Sequence, residues 1–242
     1  MKDAEGINGF KTFYLSTQTD SLVSSIGGAN YIDHISTREL APIQVKRKQD
    51  MYLLEQVKNQ VYGKKNFIVL HQSSVHSPYE WTYGEDYRAE TIFSGQKDPL
   101  LDQYDNAMLY NDMIISEIFK FFNKSNSPYY IIFASDHNEL LRENGFTGHG
   151  ILIPEVAQIP VLVQSNDSKF LGRIKDTFLI THYELAKLVA ERIGFDIINP
   201  NETAEPNIFY INGSNYCGLE GYIRFKKDSL KREVHYEKPI YM

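Results

Sequence analysis

The sequence predicts an α/β domain with a largely parallel sheet and helices on both of its faces. Apolar runs that end in polar residues predict buried strands, and segments with helical spacing lie between them. The 242 residues suffice for one sizeable domain, and 42% apolar with 23% charged residues is typical of a globular protein. A net charge of -6 argues against a nucleic-acid partner, which would normally meet a basic face.

The first half of the chain predicts a strand, a helix and a second strand. Residues 11–15, KTFYL, form a short strand-like run. Residues 48–63, KQDMYLLEQVKNQVYG, place apolar side chains at helical spacing and end on glycine, which predicts a helix. Residues 66–72, NFIVLHQ, form a continuous apolar run with a polar end, as expected of a buried parallel strand.

The second half predicts the same alternation. Residues 104–125 carry an apolar stripe at helical spacing, which predicts the longest helix. Residues 178–194 predict another helix that ends on glycine. PYYIIFAS at 128–135 and IPVLVQS at 159–165 predict strands on either side of a polar, glycine-punctuated loop.

The tail of the chain predicts a small antiparallel C-terminal element built from short strands. We therefore predict a main domain over 1–200 and an extension of that same domain over 201–242. No apolar run approaches the roughly 20 residues of a membrane span, and the first residues lack the apolar core of a signal peptide. This chain by itself is expected to be soluble. Cys217 is the only cysteine, so no internal disulfide is expected.

Residue types that bind metals follow two of the predicted strands. Asp136 and His137 come directly after the strand at 128–135, His149 lies across the following loop, and His76 lies just past the neighbouring strand. In parallel sheets the ligand site lies beyond the carboxyl ends of the strands. Carboxylates and imidazoles are good zinc ligands, and a metal there would activate a hydroxyl nucleophile. Ordinary polar loop residues remain the alternative interpretation.

Three segments carry a resemblance to a known family. SDHNELLRENGFTGHG at 135–150 is similar to S-D-H-G-E-x-L-G-E-N-G-x-x-x-H-G, the signature of bacterial phosphoethanolamine transferases in the alkaline phosphatase/sulfatase superfamily. HQSSVHSPY at 71–79 is similar to the family segment H-x-x-G-S-H-G-P-x, and YDNAMLYND at 104–112 to Y-D-N-x-x-x-Y-x-D. The three segments occur in the family's order over roughly 66–165, which is far more specific than one short motif.

The resemblance implies a role for each matching residue. It implies that Asp136 and His137 bind a catalytic zinc, and that His76 and His149 lie at the donor phosphate or hold a second metal. It gives Glu139 a part in shaping the loop and no ligand role. The region 1–200 would then be part of a sulfatase-like catalytic domain.

The resemblance also implies an activity and a location. The intact enzyme would move phosphoethanolamine from phosphatidylethanolamine to lipid A or another envelope glycan, through a phosphothreonine intermediate. Such enzymes are anchored in the inner membrane with the catalytic domain in the periplasm. Their membrane contact would therefore come from a region missing from this chain.

The chain departs from the family pattern at several glycines, including those of the G-S-H-G segment, which is SVHS here, and at the nucleophile. Asn138 and Arg142 stand where the signature has glycine, so the geometry of the loop is expected to differ. No segment matches the family's acidic zinc ligand and nucleophilic threonine, so we expect both upstream of this chain, which alone would bind metal weakly and be inactive. Thr17 is a minority candidate for the nucleophile, whereas Ser16 and Thr19 are expected to be helix-entry residues.

Two other functions remain open from the sequence. One is a sulfatase or phosphodiesterase on the same fold, although Cys217 stands in no sulfatase modification motif. The other is a non-catalytic remnant or binding module, which the missing nucleophile and the replaced glycines favour.

Overall fold

The computed structural model divides the chain into two compact units, residues 1–121 and 122–242. The residues that it describes are 8–18, 34–73, 75–87, 92–95, 98–175, 177–198, 207–212 and 221–241. Thr19 and Cys217 lie outside these ranges, so the predictions made for them stay predictions.

The first unit contains three strands and four α-helices among its described residues. The strands are β1 (Phe10–Ser16), β2 (His34–Ser36) and β3 (Lys65–His71). The helices are α1 (Pro42–Lys48), α2 (Met51–Asn59), α3 (Gly84–Tyr87) and α4 (Pro99–Asn123), which reaches the boundary between the units.

The strands of the first unit form a parallel sheet in the order β2-β1-β3. β1 and β3 pair over their whole length, from Phe10 opposite Lys65 to Ser16 opposite His71. The strands predicted at 11–15 and 66–72 are thereby confirmed, together with their parallel direction.

The helix predicted at 48–63 is wrong in its extent. Gln49 has a φ of 43°, which ends α1, and a new helix, α2, begins at Met51 and ends at Asn59. The helix predicted at 104–125 begins earlier, at Pro99, because the Asp98 carboxylate accepts a hydrogen bond from the Leu100 backbone N–H at 3.0 Å. Among the described helices, none combines the length and apolar character needed to cross a bilayer.

The described residues of the second unit form three separate antiparallel sheets, two of them before the tail. Its strands before the tail are β4 (Tyr130–Ala134), β5 (Leu140–Leu141), β6 (Thr147–Gly148) and β7 (Val161–Ser165). Its helices are α5 (Pro154–Ala157), α6 (Ser168–Lys175) and α7 (His182–Ile193).

The strands β4 and β7 pair antiparallel, with Tyr130 opposite Ser165 and Ala134 opposite Val161. The largely parallel sheet predicted from the sequence is therefore not what these two strands form. Parallel neighbours need a long crossover connection, usually a helix, to return the chain to its starting edge. The only helix of four or more residues between β4 and β7 is the four-residue α5, so the chain comes back in the opposite direction.

The tail forms the small antiparallel element that was predicted. Its strands are β8 (Ile208–Asn212), β9 (Gly221–Asp228), β10 (Glu233–Tyr236) and β11 (Ile240–Tyr241), and the other three all pair with β9. These strands belong to the second compact unit. The division of the chain at residue 200 stays a prediction.

Candidate metal centre

The loop after β4 is tied down by hydrogen bonds of its own and of α5. The Ser135 hydroxyl donates to the His137 carbonyl at 2.8 Å. The Asn138 backbone N–H donates to the Val156 carbonyl at 2.7 Å, and its side-chain amide donates to the Glu155 carbonyl at 3.2 Å. Asn138 thus has a bonding role where the family signature has glycine, and its φ is not positive.

A short hairpin brings Glu139 and His149 together across ten positions of sequence. Leu140 in β5 pairs with Gly148 in β6, so the residues just outside this pair lie side by side. Leu140 is buried and anchors the hairpin, and Gly148 has a φ of 88°, a conformation that glycine adopts without strain. The hairpin therefore explains why a residue that far along the chain joins the loop after β4.

Arg142 occupies a left-handed conformation at the start of the hairpin loop, with φ 90° and ψ 13°. Its backbone N–H donates to the Phe146 carbonyl at 2.8 Å, and its carbonyl accepts from the Gly145 N–H at 3.1 Å. Arg142, which stands where the family signature has glycine, thus has a backbone conformation that glycine adopts readily. This is a strained arrangement for a residue with a β-carbon.

Three side chains converge at this place: His137, Glu139 and His149. Each offers one metal-ligand atom, and these atoms lie within 4.8 Å of one another. The His149 Nδ1 lies 2.9 Å from the Glu139 Oε2, so the imidazole donates to the carboxylate. The rings of His137 and His149 stack, with centroids 3.8 Å apart and an interplanar angle of 25°. Their side chains are 28%, 12% and 31% exposed in chain order, which leaves the cluster open to solvent on one side.

The chemistry of this cluster fits a zinc-type metal ion. Two imidazoles and a carboxylate are donors that zinc accepts, and three protein ligands with an open fourth position are typical of catalytic zinc sites. With bonds of about 2.1 Å, neighbouring ligand atoms of a tetrahedral site lie about 3.4 Å apart. Small side-chain rotations would bring atoms that now lie within 4.8 Å to that spacing.

Glu139 is the residue of this cluster that sequence reasoning missed. The family resemblance gave it a role in loop shape only. A local signal was present: in His137-Asn138-Glu139 the outer residues are two positions apart, and in extended backbone such side chains point to the same side. The decisive contact, from Glu139 to His149, depends on the hairpin and could not be read from that spacing.

Asp136 lies beside the cluster but is not one of its three members. Its side chain is 87% exposed, and its Oδ2 is 3.7 Å from the His137 Nε2. Its Oδ1 accepts from the His137 backbone N–H at 3.1 Å. The carboxylate is thus close enough to His137 to serve the same ion after a rotation. Its assignment as a zinc ligand stays a prediction.

His76 belongs to the first unit, whereas the other predicted site residues after residue 130 belong to the second. It is exposed, and its Nδ1 lies 2.6 Å from the carbonyl oxygen of Ser77. Its predicted place at the donor phosphate or second metal is therefore neither confirmed nor contradicted.

Thr17 follows β1 and is fully buried. Its hydroxyl donates to the carboxylate of Asp50, which is also buried. The Ser73 backbone N–H donates to the Asp50 Oδ1 at 2.9 Å and to the Thr17 Oγ1 at 3.0 Å. This network joins the end of β1 to the chain that leaves β3, which suits a structural role. A nucleophilic role for Thr17 stays a prediction and gains no support from this burial.

The imidazole at the end of β3 is also bound within the first unit. The Tyr14 hydroxyl lies 2.6 Å from the His71 Nδ1, and burial raises the pKa of the Tyr14 phenol above its ordinary value. The phenol therefore stays protonated at neutral pH and can donate to the imidazole. This contact fixes the start of the segment 71–79.

These features define the class of protein: an α/β chain with a histidine- and carboxylate-bearing loop directly after a strand. The family model described as Sulfatase matches residues 5–184, and the chain belongs to this enzyme family.

The curated relatives narrow the similarity within that family. The chain is 28% identical to phosphoethanolamine transferase EptA of Helicobacter pylori (strain ATCC 700392 / 26695) over 129 residues, 48% of this chain and 25% of the relative. It is 31% identical to phosphatidylethanolamine transferase Mcr-2 of Escherichia coli over 134 residues, 50% of this chain and 25% of the relative. It is 29% identical to phosphoethanolamine transferase EptC of Escherichia coli (strain K12) over 86 residues, 31% of this chain and 14% of the relative. The resemblance to phosphoethanolamine transferases is thereby confirmed, and the first two matches each span about a quarter of the relative.

Proposed function

We propose that this chain supplies the metal-binding part of a zinc-dependent phosphoethanolamine transferase. The protein would take phosphoethanolamine from phosphatidylethanolamine and pass it to lipid A or another envelope glycan. The observation that carries the proposal is the cluster of His137, Glu139 and His149, found in a chain that is similar to transferases of this kind. As in the proposal from sequence, Asp136 would be a further zinc ligand, and His76 would bind the donor phosphate or a second ion.

Each residue of the cluster would have its own role in binding the ion. A zinc ion bound here supplies positive charge that stabilises the phosphoryl oxygens during transfer. Glu139 and His149 would hold the ion together, because their hydrogen bond keeps the two ligand atoms 2.9 Å apart, and the ion would take the place of the hydrogen between them. The stacked ring of His137 lies against His149 and limits its rotation.

The covalent steps would use a threonine that we place outside this chain. In the first step its hydroxyl oxygen bonds to phosphorus, the bond from phosphorus to the glycerol oxygen breaks, and diacylglycerol leaves with a proton. In the second step the oxygen of an acceptor hydroxyl bonds to phosphorus, the bond from phosphorus to the threonine oxygen breaks, and the proton of the acceptor passes to the threonine. We further propose that the whole protein is anchored in the inner membrane and faces the periplasm.

Zinc titration by calorimetry tests the metal site on the 242-residue chain itself. We expect binding of one zinc ion, weakened at least tenfold by His137→Ala and by Glu139→Gln. The matched controls are His235→Ala and Glu233→Gln, because this exposed pair also places a His and a Glu side by side, at 3.6 Å, and forms no three-residue ligand cluster within the part of the chain that the structure describes. An equal loss of zinc affinity in the test variants and in the control variants would contradict the metal site, and so would the absence of zinc binding by the unaltered chain.

An activity assay tests the reaction class on the longest natural protein that contains this chain. With vesicles of phosphatidylethanolamine and lipid A, we expect diacylglycerol release together with phosphoethanolamine on lipid A, both abolished by His137→Ala. The family model's description as Sulfatase keeps a hydrolase as the second candidate. Diacylglycerol release with free phosphoethanolamine, or turnover of a sulfate ester, would favour that hydrolase and contradict transfer.

A further inference from the structure

We infer that His182 is a positioning residue for the metal-binding loop, acting through the carbonyl of Ser135. The His182 Nε2 lies 2.8 Å from the Ser135 carbonyl oxygen, although the two residues are 47 positions apart. A carbonyl oxygen only accepts, so the Nε2 carries the hydrogen and donates it. Ser135 is the residue directly before Asp136 and His137, so this bond holds the backbone from which both side chains emerge.

A second hydrogen bond of the loop also starts at Ser135. The Ser135 hydroxyl donates to the His137 carbonyl at 2.8 Å. The Ser135 carbonyl is thus bound to His182 of α7, and the Ser135 hydroxyl is bound to His137. The direction of the peptide that leads into His137 therefore depends on the imidazole of His182.

The position of His182 is itself set by a capping box at the start of α7. The Thr181 Oγ1 accepts from the Glu184 N–H at 3.2 Å, and the Glu184 carboxylate accepts from the Thr181 N–H at 2.8 Å. His182 is the first residue of this helix, so the cap fixes its backbone. The donor is thus in place before any ion binds.

A buried lysine from the C-terminal sheet fixes the same helix start. The Lys227 Nζ donates to both oxygens of Glu184, at 2.9 and 3.2 Å, and to the Leu179 carbonyl at 2.7 Å. The Lys227 side chain is 7% exposed and that of Glu184 is 33% exposed, so the lysine end of this ion pair is buried and the carboxylate end is partly open to solvent. The chain of contacts runs from β9 through the cap of α7 to the loop after β4, which gives the tail a part in shaping the site.

This inference rests on the proposed function only in its use of zinc as a readout. We compare two amide substitutions on the 242-residue chain, His182→Gln and His182→Asn. The glutamine amide nitrogen reaches about as far as Nε2 and can donate to the Ser135 carbonyl, whereas the asparagine amide falls one methylene short. His182 is exposed, so both variants are expected to fold. His235→Gln and His235→Asn, at an exposed histidine of β10, are the matched controls.

Two quantities are measured: zinc affinity by calorimetry, and deuterium uptake of the peptide 135–139 without metal. We expect His182→Asn to bind zinc about tenfold more weakly, as removal of outer partners of metal ligands typically does, and to take up deuterium faster in that peptide. We expect His182→Gln to behave nearly as the unaltered chain, and both His235 variants to change neither quantity.

The outcomes separate this inference from the proposed function. Equal uptake in the glutamine and asparagine variants of His182 overturns the inference, whatever zinc does. If the unaltered chain binds zinc, equal zinc affinity in those two variants also overturns it. If the unaltered chain binds no zinc, the proposed function fails, and the uptake of 135–139 alone decides whether His182 positions the loop.

Discussion

Replacing Arg142 with glycine is expected to stabilise the chain, although it removes a large side chain. Arg142 has a φ of 90°. A left-handed conformation costs a residue with a β-carbon about 1–2 kcal/mol, which glycine does not incur. Glycine in turn loses more freedom on folding, about 0.5–1 kcal/mol. The difference predicts a net gain of about 0.5–1 kcal/mol for Arg142→Gly, since the side chain is exposed.

Urea unfolding followed by far-ultraviolet circular dichroism measures this gain. With a slope of about 3 kcal/mol per molar urea, the midpoint is expected to rise by about 0.2–0.3 M. Arg142→Ala is the control, because it removes the guanidinium and keeps the β-carbon; we expect it to be no more stable than the unaltered chain. Arg142→Asn should lie between the two, since asparagine tolerates the left-handed region. If alanine stabilises as much as glycine, backbone strain is not the cause and the reasoning is wrong.

Two further predictions concern a close contact and a titrating carboxylate. Gly84 has a φ of 58°, and a β-carbon there would lie 2.4 Å from a backbone oxygen of α1, so Gly84→Ala is expected to cost about 3 kcal/mol in urea unfolding. Gly95 has a φ of 73° and open space around the position of a β-carbon, so Gly95→Ala should lower the free energy of unfolding only by the cost of the backbone conformation. Equal losses of stability at the two positions would contradict the clash at Gly84. Asp167 has a pKa below its ordinary value, chiefly because its carboxylate accepts from the Phe170 backbone N–H. A lowered folded-state pKa means that the charged form stabilises the fold above pH 4 or so, and that this contribution is lost as the pH falls through the folded-state value. Asp167→Asn should therefore be less stable than the unaltered chain at pH 7, with a gap that narrows at pH 3; a gap independent of pH would refute this.

The sequence predicted the parts of the fold that depend on local pattern. β3 lies in a continuous apolar run and β1 in a short strand-like run, and the parallel pairing of the two strands agrees with the predicted order of strand, helix and strand. The break between α1 and α2 was missed because it depends on one residue, Gln49, whose left-handed backbone no local preference demands. The direction of β7 was missed because it depends on what the connection from β4 does in three dimensions.

Some residues of the candidate site were also predicted from the sequence, and others were not. His137 and His149 could be predicted from the motif and its spacing, because the sequence shows metal-binding residue types directly after a predicted strand and across the loop that follows. Glu139 could not be given its part, because its contact with His149 requires the register of a two-residue hairpin. His182 carried no sequence signal at all for its contact with Ser135, which spans 47 positions.

By itself, then, the sequence determined the family, the strands and helices of strong periodicity, and the segment that carries the metal-binding residue types. These follow from side-chain chemistry and from patterns that repeat within a few residues. Only the tertiary structure decided that His137, Glu139 and His149 converge while Asp136 faces solvent. The physical reason is that distant side chains meet only when strand register, loop closure and helix position are all set, and these are properties of the whole packed unit.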